Sequence, residues 1–255
     1  MRALILAAGR GERMRPLTDS TPKPLLPVHG RALIEWHLLA LARDGVREVV
    51  INTAWLEDQF PERLGDGSRY GLAIRYSTEG RDHGGALETA GGIAKALPWL
   101  TAGGEEAFWV VSGDVWAPDF RFDAELARGF VRSGLAAHLW LVPNPPFHAR
   151  GDFGQAGAGT VPGLPAEAAW GVAGDAVSEG QRRTYANLAL VHRSLCAHLA
   201  AGMRAPLGPL LQQGMLERRI SVQGYAGRWH NLGTPGQLAA LNASEDIPHV
   251  QGALP

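Results

Sequence analysis

Cysteine is nearly absent: the 255 residues carry one, Cys196. A single thiol cannot close an intramolecular disulfide or build a thiolate-rich zinc site, so a reducing compartment is the simple expectation. Long hydrophobic runs are missing too, and no stretch approaches the roughly 18 apolar residues of a membrane-spanning helix. The apolar start, residues 1–8, stops at Gly9 and runs into Arg10, Arg13 and Arg15, too short for a signal sequence with a cleavage site. A soluble, cytoplasmic protein with no membrane partner is expected. Bias of charge is also lacking. Lys and Arg number 24 against 25 Asp and Glu, a net charge of −1, so nonspecific duplex binding is disfavoured and no nucleic-acid partner is expected. There is no internal repeat at a period of about 20 to 50 residues, and no run of hexapeptides that would wind a β-helix.

What is present is an ordinary globular mix, 45% hydrophobic and 19% charged, with 33 Gly and 17 Pro that promise abundant loops. A chain of this mass can bury roughly 70% of its extended surface, enough for one sizeable core. Short apolar runs at 2–7, 48–53, 72–77, 108–112, 136–142, 185–192 and 219–225 read as strands. Helical patterns occupy 32–43, 87–97, 123–132, 206–217 and 235–244. In the first of these Leu33, Ile34, His37, Leu38 and Leu41 share one face. An Ala/Leu-rich stretch holding Cys196 and His198 also reads as helix, and His192 ends a strand with no metal partner at useful spacing. Strand–helix alternation over the first half predicts an α/β fold with a mainly parallel sheet and helices on both faces. One domain is expected over 1–245, with an irregular excursion at 143–183 and a C-terminal tail at 246–255.

Chemistry concentrates where strands end. The first strand runs into LILAAGRGERMRPLT, residues 4–18. Gly9 and Gly11 would let backbone N–H groups face an anion, and three arginines add charge nearby. Met14 stands where a dinucleotide fingerprint needs its third glycine, and no GK[ST] follows, so neither the Rossmann nor the Walker pattern applies. Next comes PKPLLP, residues 22–27, in which two prolines stiffen the backbone that carries Lys23. A stiff lysine beside an arginine-rich glycine loop suits a polyphosphate clamp. The triplet Ser112-Gly113-Asp114 follows an apolar strand and should project Asp114 from its carboxyl end. Trp99, Trp109 and Trp140 read as core, whereas Trp116 and Trp229 suit a pocket as well as packing.

Together these segments resemble the nucleotidyltransferases that act on sugar 1-phosphates, whose signature is LxxAGxGxRxxPLT followed by PKPLLP. The resemblance implies that a nucleoside triphosphate is held by Ala8, Gly9, Gly11, Glu12, Arg13, Lys23, Glu79 and Gly91, with the LETAGG stretch at 87–92 packing on the base. It implies catalytic roles for Arg13, Lys23 and Asp114, and Mg²⁺ as cofactor, ligated by Asp114. The WHNLGTP stretch at 229–235 is similar to the family's WxDxGTP and puts Asn231 in place of the second metal-binding aspartate. Ser112, Asp152 and Asn187 would meet the sugar phosphate. Within the family, residues 52–56, 64–68, 87–89, 113–116 and 148–153 look most like the bacterial branch that uses UTP and N-acetyl-α-muramate 1-phosphate in cell-wall recycling. The extra residues Asp82-His83-Gly84-Gly85 and the 154–183 region depart from that pattern. The alternatives are another sugar 1-phosphate (glucose, mannose or heptose) and a non-catalytic nucleotide-sugar-binding regulator, which Asn231 alone favours.

Overall fold

The computed structural model describes residues 1–156 and 160–245; the expected tail at 246–255 lies outside the described residues. The chain is an α/β fold whose contacts cluster into two compact units. The first unit comprises Arg2–Leu87, Val111–Phe122 and the described residues from Gly227 onward. Its strands Ala3–Leu6, Glu48–Thr53 and Ala73–Thr78 lie parallel, with Leu4 opposite Val50 and Val50 opposite Arg75. The first two are apolar runs buried on both faces, as parallel strands usually are, whereas the third alternates and is half-exposed.

The helix Leu33–Arg43 buries its apolar face, including Trp36 and His37. Glu35 closes its start by accepting from the Ala32 amide at 2.7 Å. At the other end Asp44 accepts from the Phe122 amide at 2.8 Å and pairs with Arg43, tying loop 118–122 to the helix. The short strands Val115–Trp116 and His230–Asn231 pair antiparallel. Trp116 is fully buried against Trp36, His29 and His230, so it packs the core instead of lining a pocket. The helix Pro235–Ala243 returns Leu238 and Leu241 to that same core.

The second unit comprises Glu88–Val110 and Asp123–Ala226. Ala137–Val142 pairs antiparallel with Thr184–His192 and parallel with Ile220–Gly224. The 143–183 excursion is not structureless. Ala169–Ala173 joins Ile220–Gly224, and Phe153–Gln155 joins Ala169–Ala173, both antiparallel, so the excursion extends the sheet by two strands. Helix Ala124–Ser133 is capped by Asp123, which accepts from the amides of Glu125 and Leu126 at 2.7 and 2.9 Å. The stretch around Cys196 corrects the expectation of a helix. It holds a three-residue turn, Arg193–Leu195, whose entry His192 caps through Ser194.

Candidate functional site

In the first unit the glycine loop leaves the strand Ala3–Leu6 and folds onto the lysine segment. The Ala7 amide donates to Asn52 Oδ1 at 2.8 Å, which fixes where the loop departs. Gly11 has φ +65°, and a Cβ there would sit 3.0 Å from Thr18 Cγ2 and 3.2 Å from Lys23 Cβ, so only glycine fits. Thr18 Oγ1 donates to the Gly11 carbonyl at 2.9 Å and locks the fold-back. Gly9 has no such demand: a Cβ would meet no protein atom within 4 Å, leaving open space beside an exposed backbone. Glu12, itself exposed, opens the turn Glu12–Met14, whose Met14 is buried, and Ala8 is buried beneath the loop.

Lys23 begins the turn Lys23–Leu25 and is 7% exposed. Its Nζ donates to Asp114 Oδ2 at 2.9 Å. The Asp114 loop is stitched to the glycine loop from below. The Gly113 amide donates to the Leu6 carbonyl at 2.8 Å, and a Cβ on Gly113 would come within 2.9 Å of that same oxygen. Burial opposes ionisation of Asp114, but the charge and hydrogen bond of Lys23 prevail and hold its carboxyl below the usual carboxylate range. Ser112, half-buried, ends the strand two residues earlier.

The three loop arginines separate by partner. Arg10 lies over the Trp55 ring at 4.3 Å, and Arg15 pairs with Asp19 at 3.2 Å. Arg13 is exposed, makes no ion pair among the described residues, and rests its guanidinium beside Gly233.

Asn231 lies opposite Val115, and the neighbouring Leu232 amide donates to the Asp114 carbonyl at 3.1 Å. Asp114 Oδ1 and Asn231 Oδ1 are both buried without a hydrogen-bond partner. Two unsatisfied oxygens on paired segments fit a hard oxygen-seeking cation such as Mg²⁺, completed by phosphate oxygens. Among the described residues no cluster of three or more His, Cys, Asp or Glu could hold a metal, so protein ligands alone do not build a full shell.

Two expected ligand residues are held by the protein's own groups. Glu79 is fully buried, and its carboxylate accepts from Asn52 Nδ2 and from the Leu87 amide, each at 2.7 Å. With a bond on each oxygen it braces the start of the LETAGG stretch. Asp152, in the second unit, is likewise consumed. His148 Nε2 lies 3.0 Å from Oδ1, and the Tyr185 amide donates to Oδ2 at 2.8 Å. Asp152 thereby holds His148 and the strand at Tyr185 in place. Gly91 lies in helix Glu88–Leu100, and its amide is already donated to the Ala205 carbonyl at 3.1 Å. Asn187 has φ +59° at the register break between Tyr185 and Ala189. Left-handed backbone inside a strand costs of order 1–3 kcal/mol and re-aims the side chain, a pattern found at ligand sites.

His37 was legible only as a core residue. Its Nε2 lies 2.6 Å from the Val115 carbonyl, and burial pulls its pKa down to about 4. The ring is therefore neutral near pH 7, and the carbonyl partner requires the proton on Nε2. His37 pins the segment that carries Asp114. Asp119 adds a second tie, accepting two 2.6 Å hydrogen bonds from Arg228 on the approach to Asn231.

A family model described as nucleotidyl transferase matches residues 2–137. The chain is 43% identical, over 95% of its length and 97% of the relative's, to an N-acetylmuramate alpha-1-phosphate uridylyltransferase of Neisseria meningitidis. It is 35% identical to a UTP–glucose-1-phosphate uridylyltransferase of Synechocystis over 45% of this chain and 30% of that one. A Bacillus anthracis protein solved with sucrose and described as a glucose-1-phosphate thymidylyltransferase superposes with a TM-score of 0.77. That match covers 97% of this chain and 96% of the other at 19% identity, and it speaks for the fold alone.

Proposed function

Since the chain belongs to the nucleotidyl transferase family, we propose that it joins UTP and N-acetyl-α-muramate 1-phosphate, giving UDP-N-acetylmuramate and pyrophosphate. The reaction serves recycling of cell-wall sugars in the cytoplasm. The observation that carries this reading is the identity to the muramate enzyme over 95% of the chain, where the glucose relative matches 45%. Sugar choice depends on more than the phosphate loop, so similarity confined to part of the chain bears on it weakly.

The nucleophile is a phosphate oxygen that is already anionic, so no general base is needed. The task is to bring two anions together in line and to neutralise the departing pyrophosphate. Arg13 and Lys23 supply the positive charge, and the exposed backbone at Gly9 admits the triphosphate. Ser112, Asp152 and Asn187 are assigned to the sugar phosphate. Asp114 and the side-chain oxygen of Asn231 would hold Mg²⁺, which when bound supplies charge neutralisation at the α-phosphate.

The test is pyrophosphate release across UTP, ATP, GTP and dTTP, each with muramate, N-acetylglucosamine, glucose and mannose 1-phosphates. UTP with N-acetylmuramate 1-phosphate should give the highest kcat/KM. Faster turnover of glucose 1-phosphate would move the chain to another sugar. Silence with every pair would make it a binding protein.

A further inference from the structure

The Lys23–Asp114 pair joins a residue assigned to phosphate and a residue assigned to metal. Lys23 Nζ sits on Asp114 Oδ2 at 2.9 Å with both side chains largely or partly withdrawn from water, 9% and 34% exposed. The second oxygen, Oδ1, and the Oδ1 of Asn231 on the paired strand are buried and unsatisfied. The carboxylate is thus held by an internal cation on Oδ2, with Ser112 also lowering its pKa, while Oδ1 is buried without a partner. The lysine backbone is fixed in its turn between two prolines, but its four-carbon stem is free to re-aim.

We propose that Lys23 is a stand-in cation that guards Asp114 until a polyphosphate draws it away. With no phosphate present, the ammonium neutralises Asp114, and a divalent cation entering the site meets a like charge at contact distance. When a triphosphate binds, its oxygens give Lys23 a stronger partner and Asp114 Oδ2 is released. The cation then enters on Asp114, Asn231 and the phosphate together. Metal loading is thereby conditional on nucleotide, and Lys23 both recognises the phosphate and gates the cation. The neutral Asn231 reinforces this, since it adds an oxygen without a charge to attract metal early. The inference rests on the proposed reading only in taking a nucleoside triphosphate as the anion.

Binding of Mn²⁺ to the full chain, followed by electron paramagnetic resonance and calorimetry, tests the guard without any turnover. Wild type should bind Mn²⁺ weakly alone and at least about tenfold more tightly with UTP, within the usual range of coupling between two sites. Lys23→Met and Lys23→Gln should each bind Mn²⁺ about tenfold more tightly than wild type in the absence of nucleotide, and gain less from UTP. Arg13→Met removes a charge of the same sign without touching Asp114, and should leave nucleotide-free binding near the wild-type value. Circular dichroism confirms that each variant is folded. Tight Mn²⁺ binding by nucleotide-free wild type overturns the guard whatever the variants do. So does wild-type weakness in both Lys23 variants, or an equal gain in Arg13→Met. If ATP or GTP couples to Mn²⁺ and UTP does not, the base assignment falls while the guard stands.

Discussion

The fold holds the charge of Lys23, assigned to the phosphate clamp, almost out of water. Removing a charge-assisted contact made in a transition state typically costs ~3–4 kcal/mol, or 10²–10³ in rate. Lys23→Met should therefore lower kcat by that factor, read by pyrophosphate release. Because it leaves the Asp114 carboxylate without its cation, it should also lower the thermal midpoint, with circular dichroism at the assay temperature confirming that the variant is folded. A variant that keeps more than about a tenth of wild-type kcat removes Lys23 from the clamp. Cys196 is the opposite kind of residue. It is fully buried, and desolvation pushes its thiol up to about 12. The thiolate is the reactive form, so the native protein should not be labelled by an aromatic disulfide reagent at pH 8, and denaturant should expose one thiol per chain. Rapid labelling of the native form would contradict the burial.

Two strand ends and two loops meet at Gly113, and there the elements depend on one missing side chain. A Cβ would come within 2.9 Å of the Leu6 carbonyl, a backbone atom that cannot swing aside, and within 3.2 Å of Pro24. Gly113→Ala should cost roughly 1–3 kcal/mol of stability, as overpacking does, and should lower kcat more than it raises KM by displacing Asp114 from Lys23. Urea unfolding and steady-state kinetics read the two effects. An unchanged kcat would show that the junction does not set Asp114. These local devices were legible in the sequence because glycine, proline and charge lie within a few residues of one another: the loop at 4–18, Lys23 between its prolines, Asp114 after Gly113. Long-range occupation of a side chain was not legible. Glu79 is consumed by Asn52, 27 residues away, and Asp152 by the amide of Tyr185, 33 residues away. A carboxylate that braces and a carboxylate that binds look alike in one dimension. Leucine and alanine around Cys196 suggested a helix where His192 and Ser194 instead cap a short turn. Weak periodicity hid the strands Phe153–Gln155 and Ala169–Ala173, whose partners are remote in sequence.

Burial keeps an enclosed histidine neutral in each compact unit, and in the second it also pulls the pKa of the half-buried His192 down. His37 lies in the first and His138 in the second, and both have pKa values pulled down to about 4 from 6.5. Burial dominates both shifts; His138 is fully enclosed in the core against Trp140 and 2.8 Å from Ser221 Oγ. A depressed histidine stabilises the neutral folded state, so its contribution is complete above the unfolded value of 6.5. As pH falls from 6.5 toward 4 the unfolded chain takes up a proton that the folded chain refuses, and stability declines. Below about 4 both states are protonated and the decline from this source ends. Each site contributes about 3 kcal/mol over that window, an order-of-magnitude figure from the size of the shift. The carboxylates Asp44, Asp114 and Asp119 have depressed pKa values, so their contribution is lost only at more acid pH, as each falls through its folded value. The whole molecule should thus lose stability in two separated stages, with the histidine stage first. Urea unfolding from pH 7.5 to 4.5 measures it, with tryptophan fluorescence and circular dichroism compared for coincidence, because two units need not unfold together. His138→Gln removes one titrating group, so the pH slope of the second unit should fall, His192 supplying the remainder, while that of the first unit persists. A flat wild-type profile between pH 6.5 and 4.5, or an unchanged slope in His138→Gln, would show that these rings are not held neutral by the fold.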